Sequence, residues 1–361
     1  MCALPRSVRM IAWFTALLVL VAAIGCNPGG TGGGANGSVS LQGAGATFPN
    51  PLYQKWLSEY GKAHANIKID YQSLGSGAGI KQLKEQTVDF GASDAPLKDE
   101  DIKTFSGEVV HIPTVLGAVV ITYNLAGISQ PLQFSPDVIA DIFLGKIKKW
   151  NDPRIVADNA GVTLPATDIT VVHRSDSSGT SAVFTDYLSK VSPEWKEKVG
   201  AGVSPSWPTG IGGKGNEGVT GQVKNTPNTI GYVELAYAMQ NKLPAAQVKN
   251  QGGNFIEPTI DTVTAAAASF AATTPEDLRV SITNAPGAQV YPISSYTYIL
   301  VYKDQKDAAK GKALVDFVWW GIHDGQSFAK DLHYAPLPAD IAKRAEAKIK
   351  SITHGGSPLK T

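Results

Sequence analysis

The run VVHIPTVLGAVVITYN, from Val109 to Asn124, holds no acidic residue, lysine or arginine and is rich in β-branched side chains. Such a run is stable as a strand only where both of its faces are covered. Punctuated by Pro113 and Gly117, it predicts one or two buried strands that carry the chain from one lobe to another. The sequence before it alternates strands with helices. SVSLQGAGATFPNPLYQKWLSEYGK reads as a strand, a glycine loop and a helix with an apolar stripe of Leu52, Tyr53, Trp56, Leu57 and Tyr60. IKIDYQ is a strand, SLGSGAG a loop, IKQLKEQ a short helix, and VDFGASDAPL a strand running into a turn. The sequence after it repeats the pattern. SPDVIADIFLGKIKKWND has helical spacing behind a Ser-Pro start, DITVVHRSD is a strand, and SAVFTDYLSKV is a helix presenting Val183, Phe184, Tyr187, Leu188 and Val191. SYTYILVYKD is a further long strand that returns the chain to the first lobe, and helices close the sequence. This order predicts an α/β fold with largely parallel sheets, and 361 residues allow two domains of ordinary size.

The first 25 residues read as an export signal. Arg6 and Arg9 precede an apolar run, Ile11 to Ile24, that is shorter than the roughly 20 residues of a membrane span. The segment ends in AAIGC. Small residues before a cysteine resemble a lipobox, although Ala23 stands where leucine is more usual, and the expectation is lipidation at Cys26. Cleavage there removes Cys2, the only other cysteine, so no internal disulfide can form. NPGGTGGGANGS follows, a flexible tether over residues 26–38. A formal net charge of +1 and the lack of a Lys/Arg-rich run argue against nucleic acid as a partner.

Three loops share one chemistry. GAGATFP, LGSGAG and RSDSSGTS each follow a strand, are rich in Gly, Ser or Thr, and open helices expected at 50–61, 80–87 and 181–191. Helix N-termini present unpaired N–H groups and partial positive charge, glycine lets a ligand approach them, and hydroxyls add donors. One such loop is also how an ordinary helix begins; three, one carrying Arg174, point to an anion site. Ser178 as a nucleophile lacks the Gly-x-Ser-x-Gly setting, and the six histidines follow no triad order. His173 alternates to the strand face opposite Arg174. No His/Cys/Asp cluster has metal-ligand spacing, and no cofactor is expected. GIGGKG at 210–215 matches the dinucleotide pattern but follows no predicted strand, and reads as a surface loop capped by Asn216.

GAGATFPNPLYQKW, GSGAGIKQLKEQTVDFGASDAPL, LGKIKKWND, RSDSSGTSAVFTDYL, IGGKGNEGV and IGYVELAYA together resemble the phosphate-binding proteins of bacterial Pst phosphate importers, which are ABC transporters. The likeness covers essentially everything after the tether. It implies a type II periplasmic-binding-protein fold: two α/β lobes joined by a two-strand hinge, with residues 39–121 and 290–361 in lobe I and 122–289 in lobe II. It implies no catalytic activity, capture of inorganic phosphate between the lobes, and delivery to permease and ATPase subunits from an extracytoplasmic, lipid-anchored position. Matched motif by motif, the phosphate contacts would be Thr47, Phe48 (through its N–H), Ser76, Asp94, Arg174, Asp176, Ser178, Gly179 and Thr180. Ser177 departs from the family pattern, where glycine is common. Related readings are a binding protein for another oxyanion or an extracellular phosphatase-like relative.

The resemblance changes the meaning of two acids. From the residues alone Asp94 is a capping residue before Ala95-Pro96-Leu97. Beside an anion it would accept the proton that phosphate carries at neutral pH and sulfate lacks. Asp176 would hold Arg174 in place, and a structural ion pair with no ligand is the alternative for those two.

Overall fold

A computed structural model of the chain describes residues 38–128 and 130–360. The export signal, Cys26 and all of the tether but its last residue lie outside the described residues.

The main sheet uses eight strands: β1 (Val39–Gly45), β2 (Ile67–Ser73), β3 (Phe90–Ser93), β4 (Val109–Asn124), β5 (Thr170–Arg174), β6 (Ile211–Gly213), β7 (Thr229–Glu234) and β8 (Ser294–Tyr302). Their order is β2-β1-β3-β8-β4-β7-β5-β6. One end is parallel, with β1 between β2 and β3; the other is parallel too, with β5 between β6 and β7. Antiparallel pairs join them through β8 and β4. This is the expected pair of α/β lobes with mixed sheets, linked by two long strands.

The run that most constrained the sequence is one strand, not two. Every residue of β4 but Asn124 is buried. Its first part, to Ala118, pairs with β8; from Val119 onward it pairs with β7. Pro113 is tolerated inside it because the register slips there, between Thr297 and Tyr298 of β8. The slip leaves Thr114 as the additional residue of β4, and its hydroxyl donates to the Thr297 carbonyl at 3.1 Å.

Four helices bring their N-termini to the cleft: α1 (Asn50–Ala63), α2 (Ser76–Lys84), α3 (Gly179–Val191) and α4 (Gly215–Asn225). Each lies just beyond the C-terminal end of a strand, where ligand crevices of α/β sheets form. Two helices start earlier than their composition predicts. α2 begins at Ser76 instead of residue 80, so the glycines assigned to a loop form its first turn. Gly75 caps it at φ +97°, and a Cβ on Gly79 would stand 2.4 Å from the Ala44 carbonyl oxygen. Glycine is needed there because the helix rests directly on β1. α3 begins at Gly179 instead of Ser181, with Ser178 as its cap. The helix expected across 135–152 is shorter, Pro136–Phe143, and the chain turns at Gly145 with φ +74°.

The Gly79 contact gives a direct test. Gly79→Ala should destabilise the protein by about 1–3 kcal/mol through overpacking against backbone, read as a lower urea midpoint. An unchanged midpoint would contradict the contact.

Candidate functional site

The three predicted loops converge, and they do so across the two lobes. A Cβ on Gly179 would stand 2.2 Å from Ser76 Oγ and 2.4 Å from Asp94 Oδ2; one on Gly75 would stand 2.4 Å from Asp176 Oδ2. Gly77 N–H donates to the Ser177 carbonyl at 3.0 Å, and the Tyr237 hydroxyl donates to the Thr47 carbonyl at 2.6 Å. Glycine at 75, 77 and 179 is what lets the loops close to this distance. The Ser177 side chain lies against Gly77, on the lobe contact.

Arg174, at the end of β5, is almost wholly buried. Its Nε and Nη2 donate to the two oxygens of Asp176 at 2.7 and 2.5 Å, a bidentate fork. Nη1 is buried with no protein partner among the described residues. Gly215 N–H, at the start of α4, donates to Asp176 Oδ1 at 2.9 Å. Burial pushes the Asp176 carboxyl up, but Arg174 and the Gly215 amide outweigh it and hold the carboxyl below its ordinary value. Asp176 is thus a clamp on Arg174, with both oxygens engaged.

Asp94 is 1% exposed. Oδ1 accepts from the Thr297 hydroxyl at 2.9 Å, whereas Oδ2 is buried without a partner among the described residues. Burial pushes the carboxyl up to about 7, against the opposing effects of the Thr297 bond, the Arg174 charge and the Ser76 hydroxyl. The carbonyl of Asp94 accepts from Ser295, so the residue is held from β8 at two points.

Four hydroxyls surround these groups, and each one accepts from a protein N–H. Ser76 Oγ accepts from Asp94 N at 3.3 Å. Ser178 Oγ accepts from Ser181 N at 3.0 Å. Thr47 Oγ1 and Thr180 Oγ1 accept from the two hydrogens of Asn216 Nδ2, at 2.8 and 3.0 Å. A hydroxyl whose lone pairs are used this way keeps its own proton for a further partner. The first amides of α3, Gly179 and Thr180, add N–H donors that a helix leaves without internal acceptors. The ring of Phe48 turns away, packing on Gly117 and Tyr334 as a wall, while its carbonyl accepts from Tyr334.

His173 does not join the site. It stacks on Trp207 at 4.9 Å, and its Nδ1 lies 3.0 Å from the Arg174 carbonyl oxygen. Ser178 therefore has no base in His173.

Residues 30–319 match the family model described as the PBP superfamily domain. The phosphate-binding protein PstS of Xylella fastidiosa strain 9a5c is 47% identical over 311 residues, covering 86% of this chain and 85% of that one. The PstS protein of Methanocaldococcus jannaschii is 40% identical over 371 residues, covering 94% of each. The chain belongs to the PstS family of phosphate-binding proteins. The fold agrees with that of a solved phosphate-binding protein from Stenotrophomonas maltophilia, 22% identical, with a TM-score of 0.65 over 86% of this chain and 93% of that one.

Within this chain Arg174 and Asp176 meet directly and Gly179 lies against Ser76 and Asp94, but several of their partners were not foreseen. Asn216 is no surface cap. Lys214 caps α4, and Asn216 is fully buried within its first turn. Thr297 and Ser295 hold Asp94 from β8. Glu234, at the end of β7, is also fully buried; Oε2 accepts from Ala236 N and lies 3.2 Å from the Tyr334 hydroxyl, and burial pushes its carboxyl well above the usual range. The signal that could have pointed to Asn216 was GIGGKGN itself, since Gly213 and Gly215 are required by close approach and φ +70° respectively.

The raised Asp94 carboxyl has a consequence for stability. A carboxyl whose folded value lies above its unfolded value favours the fold while protonated, and that advantage is lost as pH rises from about 4 through about 7. Asp94→Asn in the phosphate-free protein should therefore gain stability relative to the parent between pH 4 and pH 8, by up to about 4 kcal/mol for a shift of this size. Urea titrations at the two pH values measure it; a difference that does not grow with pH would contradict the burial of this group.

Proposed function

We propose that this chain captures inorganic phosphate between its two lobes and delivers it to the permease and ATPase subunits of an ABC importer, without chemistry on the ligand. The observation that carries the reading is the pairing, in one buried cleft, of a lone acceptor and a set of donors: Asp94 Oδ2 on one side, Arg174 Nη1 on the other, both without protein partners among the described residues. A tetrahedral oxyanion with one proton matches that set. Its hydroxyl donates to Asp94. Its remaining oxygens accept from Arg174, from the hydroxyls of Thr47, Ser76, Ser178 and Thr180, and from the N–H groups of Phe48, Gly179 and Thr180. Asp176 acts through Arg174.

Lobe I then comprises residues 39–121 and 290–361, and lobe II residues 122–289, with β4 and β8 as the hinge. Family membership supports the importer role and an extracytoplasmic location; the AAIGC sequence supports cleavage before Cys26 and a lipid anchor there. Mass spectrometry of the mature N-terminus reads out the anchor directly, and an unmodified Cys26 would remove it.

Titration calorimetry tests the ligand. At about pH 8.5, where Asp94 is ionised, phosphate should bind with micromolar or better affinity and sulfate far more weakly, because its oxygen would face Asp94 with no proton between them; the preference should shrink as pH falls through about 7 and Asp94 gains a proton it can donate. Equal affinities would overturn the role given to Asp94. Arg174→Ala should weaken phosphate by at least about 100-fold, since it removes charge-assisted hydrogen bonds and leaves Asp176 buried without its partner. Unaltered binding would remove the site.

A further inference from the structure

Asn216 makes four hydrogen bonds, and their directions are fixed. Its side-chain oxygen accepts from Glu234 N–H at 3.0 Å. A backbone N–H can only donate, so the amide oxygen must face Glu234 and the amide nitrogen must face the cleft. That nitrogen has two hydrogens. One goes to Thr47 Oγ1 in lobe I and the other to Thr180 Oγ1 in lobe II. The backbone N–H of Asn216 adds a second, longer bond to Thr47 Oγ1 at 3.3 Å. Thr47 Oγ1 thus has both lone pairs engaged, and any further partner must accept its proton. Thr180 Oγ1 has one lone pair engaged by the same amide. Neither hydroxyl donates to a protein acceptor among the described residues.

We propose that Asn216 is a positioning residue that sets the direction of the Thr47 and Thr180 hydroxyls, turning both into donors toward the bound anion while tying the two lobes together through them. The inference rests on the phosphate reading of the site. A hydroxyl free to rotate presents a lone pair as readily as a proton, and a lone pair repels an anion. An amide that occupies the lone pairs removes the unfavourable orientation before the ligand arrives, which is preorganisation. One side chain does this for two hydroxyls on opposite lobes: Thr180 within its own lobe, and Thr47 only when the lobes are together.

The test is a mutant cycle in phosphate affinity, measured by calorimetry on the whole chain. Asn216→Ala should weaken phosphate by about 10- to 100-fold, the loss of one or two well-aimed hydrogen bonds. In a Thr47→Val, Thr180→Val background the same Asn216→Ala change should weaken it by less than about twofold, because the hydroxyls through which Asn216 acts are gone. A purely structural role predicts the same loss in both backgrounds, and that result overturns the proposal. Asn216→Asp is the second variant. It keeps the acceptor for Glu234 N–H and the size of the side chain, but its carboxylate accepts from the threonine hydroxyls and reverses them. It should lose at least as much affinity as the alanine variant, and binding within about threefold of the parent overturns the proposal. A parent chain that takes up no phosphate is a different failure: it removes the ligand reading, and the role of Asn216 with it.

Discussion

The arrangement depends on the fork between Arg174 and Asp176. A guanidinium this deeply buried is stable only when paired and hydrogen-bonded. Asp176 meets that requirement at two atoms and is itself held by the Gly215 amide. The pair neutralises itself, so Arg174 brings a rigid set of donors and almost no net charge. Asp94 adds a carboxyl rather than a cation, and Glu234 lies buried nearby, raising no positive field either. Attraction for an anion must come from oriented dipoles: the N-termini of α1, α2, α3 and α4, and the hydroxyls at their starts. The α/β lobes supply this because parallel strands deliver successive helix N-termini to one edge of the sheet.

A site made of dipoles selects by the direction of its hydrogen bonds, not by charge. The hydroxyls of Thr47, Ser178 and Thr180 accept from the protein and have their protons left over, so the inventory is almost all donor. Asp94 is the exception, and it is held as an acceptor at a definite place. Oδ1 is fixed by Thr297, whose carbonyl is in turn bound by Thr114 at the slip in register opposite Pro113. The irregularity in the hinge strands and the orientation of the acceptor are therefore one piece of structure. In the proposed reading, that single reversal in a shell of donors distinguishes an oxyanion with a proton from one without.

The parts of this site that were legible in the sequence are the parts that are local. A strand, a glycine, a hydroxyl and a helix start lie within a few residues of each other, so GAGATF, GSGAG and RSDSSGT announced themselves. Arg174 and Asp176 are two apart and share one loop. The missing parts are long-range. Thr297 reaches Asp94 across 203 residues and Asn216 reaches Thr47 across 169. No spacing rule joins such positions, and Asn216 looked like a cap because asparagine at a helix start usually is one. The early start of α2 was hidden for another reason. Its glycines have poor helix propensity, yet close approach requires them, Gly79 against β1 at Ala44 and Gly77 against Ser177, and tertiary contact overrode propensity.

In the proposed reading, the same geometry links binding to closure. Bonds between the lobes, from Asn216 to Thr47, from Gly77 to Ser177 and from Tyr237 to Thr47, favour the closed arrangement. Two groups oppose it: burying a donor such as Arg174 Nη1 and an acceptor such as Asp94 Oδ2 without partners costs on the order of 1–3 kcal/mol each, more for a charged group. A ligand that satisfies both groups removes the opposing term and leaves the favourable one, which shifts the balance by its own differential affinity for the closed state. A ligand that satisfies only Arg174 leaves the Asp94 term in place. Selectivity and closure are then two readings of one free-energy difference, and the hinge strand β4, continuous through both lobes, needs only to permit the motion.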